Sequence, residues 1–207
     1  MKRVPDLYPR VLDEPGWARK YAKSSARRNR RIAKSFARML VEGGFEKGRI
    51  LDAGCGAGEV LIELAHAFPK AKLVGVDLSQ PLLDAARSSA QHAGLSDRVT
   101  FEKGDVQAMP FEDGSFDVVI SLNMLHYVDY PVAMLNEIER VLAPGGMFGL
   151  GAIKRSWLAF IWPIFRMAYN AAEARELLRQ SKLRTWELKE SFLVLTVAAG
   201  GSVGLPS

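Results

Sequence analysis

The amino-acid sequence predicts an α/β protein whose core is a doubly wound, mostly parallel sheet with helices on both faces. From residue 48 onward, short apolar runs alternate with stretches whose apolar residues recur at helical spacing, a pattern typical of βαβ units. The first run leads into a glycine-rich turn at residues 54–58 that opens a helix, which is where such sheets bind ligands. A chain of 207 residues is long enough for one such domain with an added helical segment.

The first predicted element is an amphipathic helix, because apolar or small residues recur among Arg and Lys between Trp17 and Leu40. It is expected to end near the glycine pair at 43–44, since glycine commonly follows a helix. We therefore assign residues 1–47 to a basic helical lid and residues 48–207 to the α/β domain.

Positive charge is concentrated in this N-terminal part. Residues 1–49 hold 14 Lys or Arg and 5 Asp or Glu, a net charge of +9, whereas residues 50–207 carry a net charge of −4. A basic helix of this kind fits contact with nucleic acid or another anionic surface, but a solvated helix face is the more common outcome. A nucleic-acid partner is therefore a minor alternative.

Five strands are expected to lie parallel in the sheet, at residues 49–53, 72–76, 99–103, 116–121 and 147–152. The helices expected around them cover residues 60–68, 81–93, 131–142 and 171–181. Two more apolar-alternating runs, residues 184–189 and 192–199, predict a closing hairpin with an antiparallel strand. The complete sheet is thus expected to have seven strands.

Composition argues against several classes of protein. With 48% hydrophobic and 25% charged residues the chain is typical of globular proteins, and its longest apolar stretches fall far below the roughly 20 residues that cross a bilayer. The single cysteine, Cys55, allows no internal disulfide, and the three isolated histidines, His66, His92 and His126, predict no metal site. Because the first residues lack an apolar signal core, we expect a cytoplasmic protein without a membrane span.

The glycine-rich turn and its surroundings predict a nucleoside site. Glycine is needed where a sharp turn has positive φ and the backbone approaches a ligand closely. The next predicted strand ends at Asp77, 19 positions after Gly58, where a doubly wound sheet presents a carboxylate to ribose hydroxyls. The alternative for Asp77 is capping of the following helix, which Ser79 and Pro81 can begin without it. Ribose binding is the favoured interpretation.

The segment Leu51-Asp52-Ala53-Gly54-Cys55-Gly56-Ala57-Gly58 resembles the first motif of class I S-adenosylmethionine-dependent methyltransferases. Four further segments agree with that family in order and spacing, at residues 74–79, 104–111, 116–121 and 142–146. Within the family, the chain is most similar to the small-molecule branch that includes quinone-biosynthesis enzymes. The resemblance implies a Rossmann-like fold, S-adenosyl-L-methionine as cofactor and S-adenosyl-L-homocysteine as product.

The resemblance also implies which residues hold the methionine and ribose parts of the cofactor. Gly54 and Gly56 would let the backbone approach the methionine part, with Asp52 anchoring the loop and a nearby water. Cys55, between the two glycines, is expected to fill the loop and not to act as a nucleophile, because no neighbouring base is apparent. Asp77 would hold both ribose hydroxyls.

For the adenine ring, the resemblance implies that Asp105 accepts from the amino group and that the Val106 amide faces a ring nitrogen. Leu78 and Met109 would pack on the two ring faces. After the fourth strand, Ser121 and Asn123 would contact the cofactor's amino acid moiety or the substrate.

Catalysis is expected to depend mainly on alignment. A sulfonium methyl group is already activated by its neutral thioether leaving group, so holding the nucleophile in line with the methyl carbon supplies much of the acceleration. A base is optional, and His126 is the candidate for removing a proton from the acceptor. The alternative for His126 is a structural, hydrogen-bonded side chain.

Two segments are expected to surround the acceptor. Residues 156–169 are rich in aromatic side chains, which fit the lining of an apolar or aromatic substrate pocket, buried packing or a homodimer contact. The N-terminal helix, with Tyr8, Trp17 and Tyr21, would close over the cofactor, and one of its basic residues would pair the cofactor carboxylate. The short segment at 156–169 favours a small-molecule acceptor.

Three other functions share some of these sequence features. An NAD-linked oxidoreductase would need a Gly-x-Gly-x-x-Gly or -Ala pattern, whereas Glu59 stands at the last position here. A noncatalytic or partner-dependent cofactor-binding module remains open. So does an RNA methyltransferase that uses the basic helix, although the sequence has no signature of an added RNA-binding module.

Overall fold

The computed structural model describes Arg3, residues 14–160, Trp162 and residues 164–199, with backbone only at residues 158 and 159. Its strands are β1 Gly48–Ala53, β2 Ala71–Asp77, β3 Val99–Lys103, β4 Phe116–Leu122, β5 Leu142–Ile153, β6 Trp186–Glu190 and β7 Val194–Ala199. Its helices are α1 Pro15–Glu42, α2 Glu59–Ala67, α3 Gln80–His92, α4 Pro131–Val141, the 3₁₀ turn Trp157–Phe160, α5 Ile164–Met167 and α6 Ala171–Gln180.

The seven strands form one sheet in the order β3-β2-β1-β4-β5-β7-β6. The strands β1 to β5 are parallel to one another, and β7 runs antiparallel between β5 and β6. This arrangement confirms the predicted fold class, including the closing hairpin. The strand order reverses beside β1, and ligands of doubly wound sheets bind at that point, beyond the carboxyl ends of the strands.

The core consists of two apolar layers, one on each face of the sheet. Side chains of β1 alternate between them, so that Ile50 lies in the layer under α1, α2 and α3, whereas Leu51 lies in the layer under α4 and α6. Burial on both faces explains why the parallel strands are nearly continuous apolar runs.

Helix α1 begins at Pro15 and ends at Glu42, close to its predicted bounds. Its buried side chains include Phe36 and Met39, which belong to the same apolar layer as Ile50. Phe36 lies directly against Gly149 of β5, where any larger residue would collide with the ring. The C-terminal half of the proposed lid is therefore part of the domain core. The rest of the predicted lid, residues 1–2 and 4–13, lies outside the described residues.

Most predicted boundaries lie within two residues of those in the structure, and the start of the fifth strand differs more. The fifth strand begins at Leu142 instead of residue 147, because Leu142 already pairs with Phe116 and the residues before Met147 form a bulge containing Gly145 at φ 77°. The last strand begins at Val194 instead of residue 192, because Ser191 donates its backbone N–H to the Val194 carbonyl at 2.8 Å and closes a turn around Phe192.

Candidate functional site

The glycine-rich turn lies at the carboxyl end of β1 and is tied to β2. The backbone N–H groups of Gly54 and Cys55 both donate to the carbonyl of Val76, at 2.8 and 3.1 Å. Gly54, Gly56 and Gly58 have φ values of 88°, 53° and 77°, a region that L side chains rarely adopt. A Cβ atom on Gly56 would meet only the Tyr21 ring, 3.9 Å away, so this part of the turn is open toward α1.

Asp77 joins the ends of β1 and β2. Its Oδ2 accepts the Gly56 N–H at 2.9 Å and its Oδ1 accepts the Ser79 N–H at 2.9 Å. Burial raises the pKa of this carboxyl, and hydrogen bonds from the Ser79, Gly56 and Leu78 backbone lower it. The cap of α3 is Ser79, whose hydroxyl accepts the Leu82 N–H at 3.3 Å. Asp77 is therefore free of the capping role and holds the glycine-rich turn.

Asp52 is buried next to this turn, with 2% of its surface exposed. Its Oδ1 has no hydrogen-bond partner among the described residues. Burial, followed by the negative charges of Asp77 and Glu59, raises the pKa of Asp52 to about 8. A buried carboxyl oxygen without a donor is costly. The site therefore suits a ligand that brings a hydrogen-bond donor or a positive charge.

Cys55 points away from the open side of the turn and into the core. Its sulfur fills the space over Gly75, where a Cβ atom would lie 2.7 Å from it. Burial raises the pKa of the thiol well above its usual value, with further increases from Asp77 and Asp52. A thiol in this state is a poor nucleophile, and only the backbone of Cys55 faces the turn.

The proposed adenine segment follows β3. The side-chain amide of Gln107 donates to both carboxylate oxygens of Asp105, at 3.1 Å each, and its carbonyl accepts the Tyr130 N–H at 2.7 Å. Val106 and Met109 are buried, whereas Leu78 is 37% exposed. Gln107 thus fixes the orientation of Asp105 and joins this segment to the loop before α4.

A partly buried ion pair on α4 holds the other side of the same segment. Glu137 accepts the Met109 N–H at 2.7 Å, and Arg140 donates to the carbonyls of Met109 and Phe111, at 2.9 and 2.6 Å. Hydrogen bonding to Arg140 lowers the pKa of Glu137. The sequence interpretation missed Gln107, Glu137 and Arg140. Gln107 could have been found from sequence, because it lies two residues after Asp105, to which it bonds. Glu137 and Arg140 could not, because the backbone groups they hold lie far away in sequence.

Ser121 and Asn123 lie at the carboxyl end of β4. The Ser121 hydroxyl is buried and donates to the Ala53 carbonyl at 2.7 Å, so it ties β4 to β1. Among the described non-glycine residues, Asn123 alone has a positive φ, 56°, and its N–H donates to the Gly151 carbonyl at 2.7 Å. This strained turn directs Met124 against Gly54. Met124 is a further site residue that the sequence interpretation did not single out.

His126 is buried, whereas a general base must be able to reach the acceptor. Only 3% of its surface is exposed, and its Nδ1 has no partner among the described residues. Burial, with a smaller contribution from Arg3, lowers the pKa of His126 to about 4. A base works best when its pKa is near the working pH and when it reaches the acceptor. The His126 setting argues against the predicted proton transfer.

The N-terminal helix covers the glycine-rich turn. Burial raises the pKa of Tyr21, Arg28 lowers it through its charge and a hydrogen bond, and Glu59 and Asp77 raise it. Asn29 donates to Glu59 at 3.4 Å, and Arg30 pairs with Glu63 at 3.4 Å. Residues of α1 therefore lie beside the same site as Asp77. Trp17 is 56% exposed, and Tyr8 lies outside the described residues.

The aromatic segment at 156–169 is divided between solvent and the domain. Trp157, Phe160 and Trp162 are more than half exposed, so buried packing does not account for them. Tyr169 is partly buried under Arg3, whose guanidinium lies 4.3 Å from the ring centroid.

Two negative findings apply to the described residues. None of their helices combines the length and apolar character needed to cross a membrane. No three His, Cys, Asp or Glu side chains within the described ranges come together in a way that could hold a metal ion.

The chain is similar in sequence to methyltransferases. Residues 50–146 match the family model described as a methyltransferase domain. The chain is 43% identical over 99 residues to demethylmenaquinone methyltransferase from Thermus thermophilus, covering 47% of this chain and 44% of that protein. It is 39% identical over 103 residues to 27-O-demethylrifamycin SV methyltransferase from Amycolatopsis mediterranei, covering 50% and 38%. The chain thus spans less than half the length of these curated relatives.

A solved SAM dependent methyltransferase from Aquifex aeolicus has the same fold. It superposes with a TM-score of 0.74 at 22% identity, covering 90% of this chain and 97% of that one.

Proposed function

We propose that the chain is a class I S-adenosylmethionine-dependent methyltransferase, which transfers the methyl group of S-adenosylmethionine to a small, apolar or aromatic acceptor by in-line displacement. The match of residues 50–146 to a methyltransferase-domain model and the similarity to two methyltransferases support this proposal. The observation that carries the proposal is the group formed by the glycine-rich turn, Asp52 and Asp77 at the ends of β1 and β2, which we call the cradle. Asp77 holds Gly56 at 2.9 Å, and the unpartnered Oδ1 of buried Asp52 lies beside the same turn.

The cradle fits the cofactor in charge and in shape. S-adenosylmethionine carries an ammonium and a sulfonium group. Burial, followed by the negative charges of Asp77 and Glu59, raises the pKa of Asp52, and either cation would offset those negative charges. The open face of Gly56 admits the methionine part, and Asp77 binds the ribose hydroxyls. Arg28 contacts Tyr21 over Gly56 and is the cation of α1 that pairs the cofactor carboxylate.

The adenine ring is bound by the segment after β3. Asp105, oriented by Gln107, accepts from the ring amino group, and the Val106 N–H faces a ring nitrogen. Leu78 and Met109 pack on the ring faces, and the Glu137–Arg140 pair keeps the Met109 backbone in position.

The chain contributes alignment to the transfer. When bound, the cofactor supplies an electrophilic methyl group with a neutral leaving group, so orienting the acceptor in line accounts for much of the rate. Ser121 fixes β4 to β1, and the strained turn at Asn123 sets the wall opposite Gly54. We propose that His126 does not act as a general base, because its ring is buried and burial lowers its pKa to about 4, which makes it a weak proton acceptor. The acceptor then loses its proton to water.

Two observations support an apolar or aromatic acceptor. The names of the two relatives describe methyl transfer to a demethylmenaquinone and to a demethylrifamycin. The aromatic segment follows β5 and lies at the carboxyl edge of the sheet. RNA is the second candidate, favoured by the exposed basic side chains of α1, which include Arg27, Arg28, Arg31, Lys34 and Arg38.

Calorimetry and a transfer assay test the proposal together. Purified protein is titrated with S-adenosylmethionine, S-adenosylhomocysteine and NAD, and is then incubated with methyl-labelled cofactor and either hydroquinones and phenols or RNA. We expect both sulfur nucleosides to bind, NAD not to bind, and label to enter the organic extract. Binding without transfer to any acceptor would support a noncatalytic or partner-dependent module, label in RNA would support the second candidate, and no binding would overturn the proposal.

A further inference from the structure

The exposed aromatic side chains cluster in what we call the aromatic loop, residues 156–168. In this loop Trp157 is 59% exposed, Phe160 is 81% exposed and Trp162 is 54% exposed. Their rings together form an unusual amount of apolar surface for neighbouring residues of a water-facing loop.

The base of the aromatic loop is held firmly. Lys154 forms a bridge with Tyr169, and the Arg155 N–H donates to the Tyr169 carbonyl at 3.0 Å. The Arg155 side chain forms a short ion pair with Glu173 of α6, and Arg3 donates to the Met167 carbonyl at 2.7 Å. A loop with closed ends and an exposed tip is a compact Ω-type loop, so its rings are presented outward from a fixed base.

The turn of the β6–β7 hairpin adds to this surface. The Lys154 N–H donates to the Leu193 carbonyl at 2.7 Å, so the turn lies beside the base of the aromatic loop. Phe192 is 63% exposed and Val194 is 40% exposed. The exposed apolar surface therefore continues from one connection to the next at the same edge of the sheet.

The aromatic loop itself carries one charged side chain, and that charge is positive. At the base of the loop, Lys154 pairs with Glu190 and Arg155 pairs with Glu173. Within residues 156–168 the sequence contains Arg166, which is exposed, and no acidic residue. Tryptophan and phenylalanine together with basic residues are the composition of surfaces that lie in the headgroup region of a bilayer. Anionic lipid complements this charge, whereas a symmetrical contact with a second copy would bring like charges together.

We propose that the aromatic loop docks the protein on an anionic lipid surface, with the rings of Trp157, Phe160 and Trp162 in the headgroup region. Docking would turn the carboxyl edge of the sheet, where the loop begins, toward the lipid. An apolar molecule dissolved in the bilayer would then have a short path to the site. The proposal does not depend on methyl transfer, because it concerns binding alone.

Vesicle sedimentation of the full chain tests the proposal, using phosphatidylcholine vesicles with and without phosphatidylglycerol. We expect co-sedimentation with the anionic vesicles that weakens at high salt. Phe160→Ser should reduce partitioning about tenfold by removing the burial of one large ring. Arg166→Gln should reduce it about fivefold by removing one charge near the surface. Both side chains are exposed, so circular dichroism is expected to show unchanged folding.

Val41→Ser is the matched control. Val41 is 64% exposed, but it lies at the end of α1, near the opposite edge of the sheet, and the variant should sediment like the wild type. The absence of wild-type sedimentation with anionic vesicles would overturn the proposal, as would equal losses in Val41→Ser and Phe160→Ser. A concentration-dependent dimer that Phe160→Ser abolishes, with no vesicle binding, would assign the loop to a second copy instead.

Discussion

The Asp77 carboxylate accepts the backbone N–H of Gly56 at 2.9 Å, and so the residue expected to bind ribose also fixes the glycine-rich turn. One oxygen of Asp77 joins the turn after β1 to the end of β2, and the other accepts the Ser79 N–H at 2.9 Å. A change at Asp77 therefore acts on two parts of the cofactor site at once.

Replacing Asp77 by Asn should lower cofactor affinity without unfolding the protein. The amide keeps one acceptor for Gly56 but loses the charged hydrogen bonds to ribose, which corresponds to roughly a 10- to 100-fold weaker Kd. Calorimetry with S-adenosylhomocysteine measures the change. Asp97→Asn, an exposed residue in the connection before β3, is the charge-matched control. A variant whose Kd stays within about twofold of the wild type would show that Asp77 is not a ribose ligand.

Asp52 should make stability fall as pH rises. Its pKa is raised from 3.8 to about 8, so the folded state keeps a proton that the unfolded chain releases above its ordinary pKa. Stability is greatest below about pH 4 for this group and is lost toward about pH 8, with a slope of at most about 1.4 kcal/mol per pH unit.

Urea unfolding of wild type and Asp52→Asn at pH 5 and pH 8 measures this contribution. The wild-type free energy of unfolding should fall relative to that of the variant between the two pH values, since the neutral amide does not ionise. Asp97→Asn should follow the wild type. Parallel curves for wild type and Asp52→Asn would mean that Asp52 is ionised throughout.

His126 should affect acid stability more than the pH dependence of the reaction. Its pKa is lowered from 6.5 to about 4, so the stability it contributes is present above pH 6.5 and is lost as pH falls toward 4. In His126→Gln, this acid-side loss in unfolding free energy should disappear. The pH profile of methyl transfer between pH 6 and 9 should keep its shape. Loss of an ionisation near neutral pH in the variant would instead make His126 a base.

Arg140→Met should loosen the adenine segment. The change removes the hydrogen bonds to the Met109 and Phe111 carbonyls and leaves Glu137 without its arginine partner, at a cost of roughly 2 kcal/mol in unfolding free energy. Cofactor affinity should fall with it. Arg179→Met is the control. Arg179 also follows a Glu by three positions on a helix, but it is exposed, and its Nη1 lies 3.5 Å from Oε2 of Glu176. Equal effects in the two variants would contradict a specific role for Arg140.

Several features of the site could not be predicted from sequence because they depend on contacts between distant residues. Glu137 and Arg140 show an ordinary i,i+3 pairing on α4, and nothing local shows that they hold residues 109–111. The unpartnered oxygen of Asp52 depends on what the sheet and helices leave around it. His126 illustrates the same limit, since its depth in the domain was not visible in its neighbours along the chain.

The sequence by itself determined the order of the elements, the seven-stranded sheet and the location of the glycine-rich turn. Those features follow from hydrophobic periodicity, glycine positions and turn residues, all of which act within short stretches of chain. Only the tertiary structure decided that Asp52 is buried without a donor among the described residues, that Ser79 and not Asp77 caps α3, and that the rings of Trp157, Phe160 and Trp162 face solvent. Burial and hydrogen-bond partners are set by residues that the fold brings together from far apart, and these in turn set the pKa values on which the site depends.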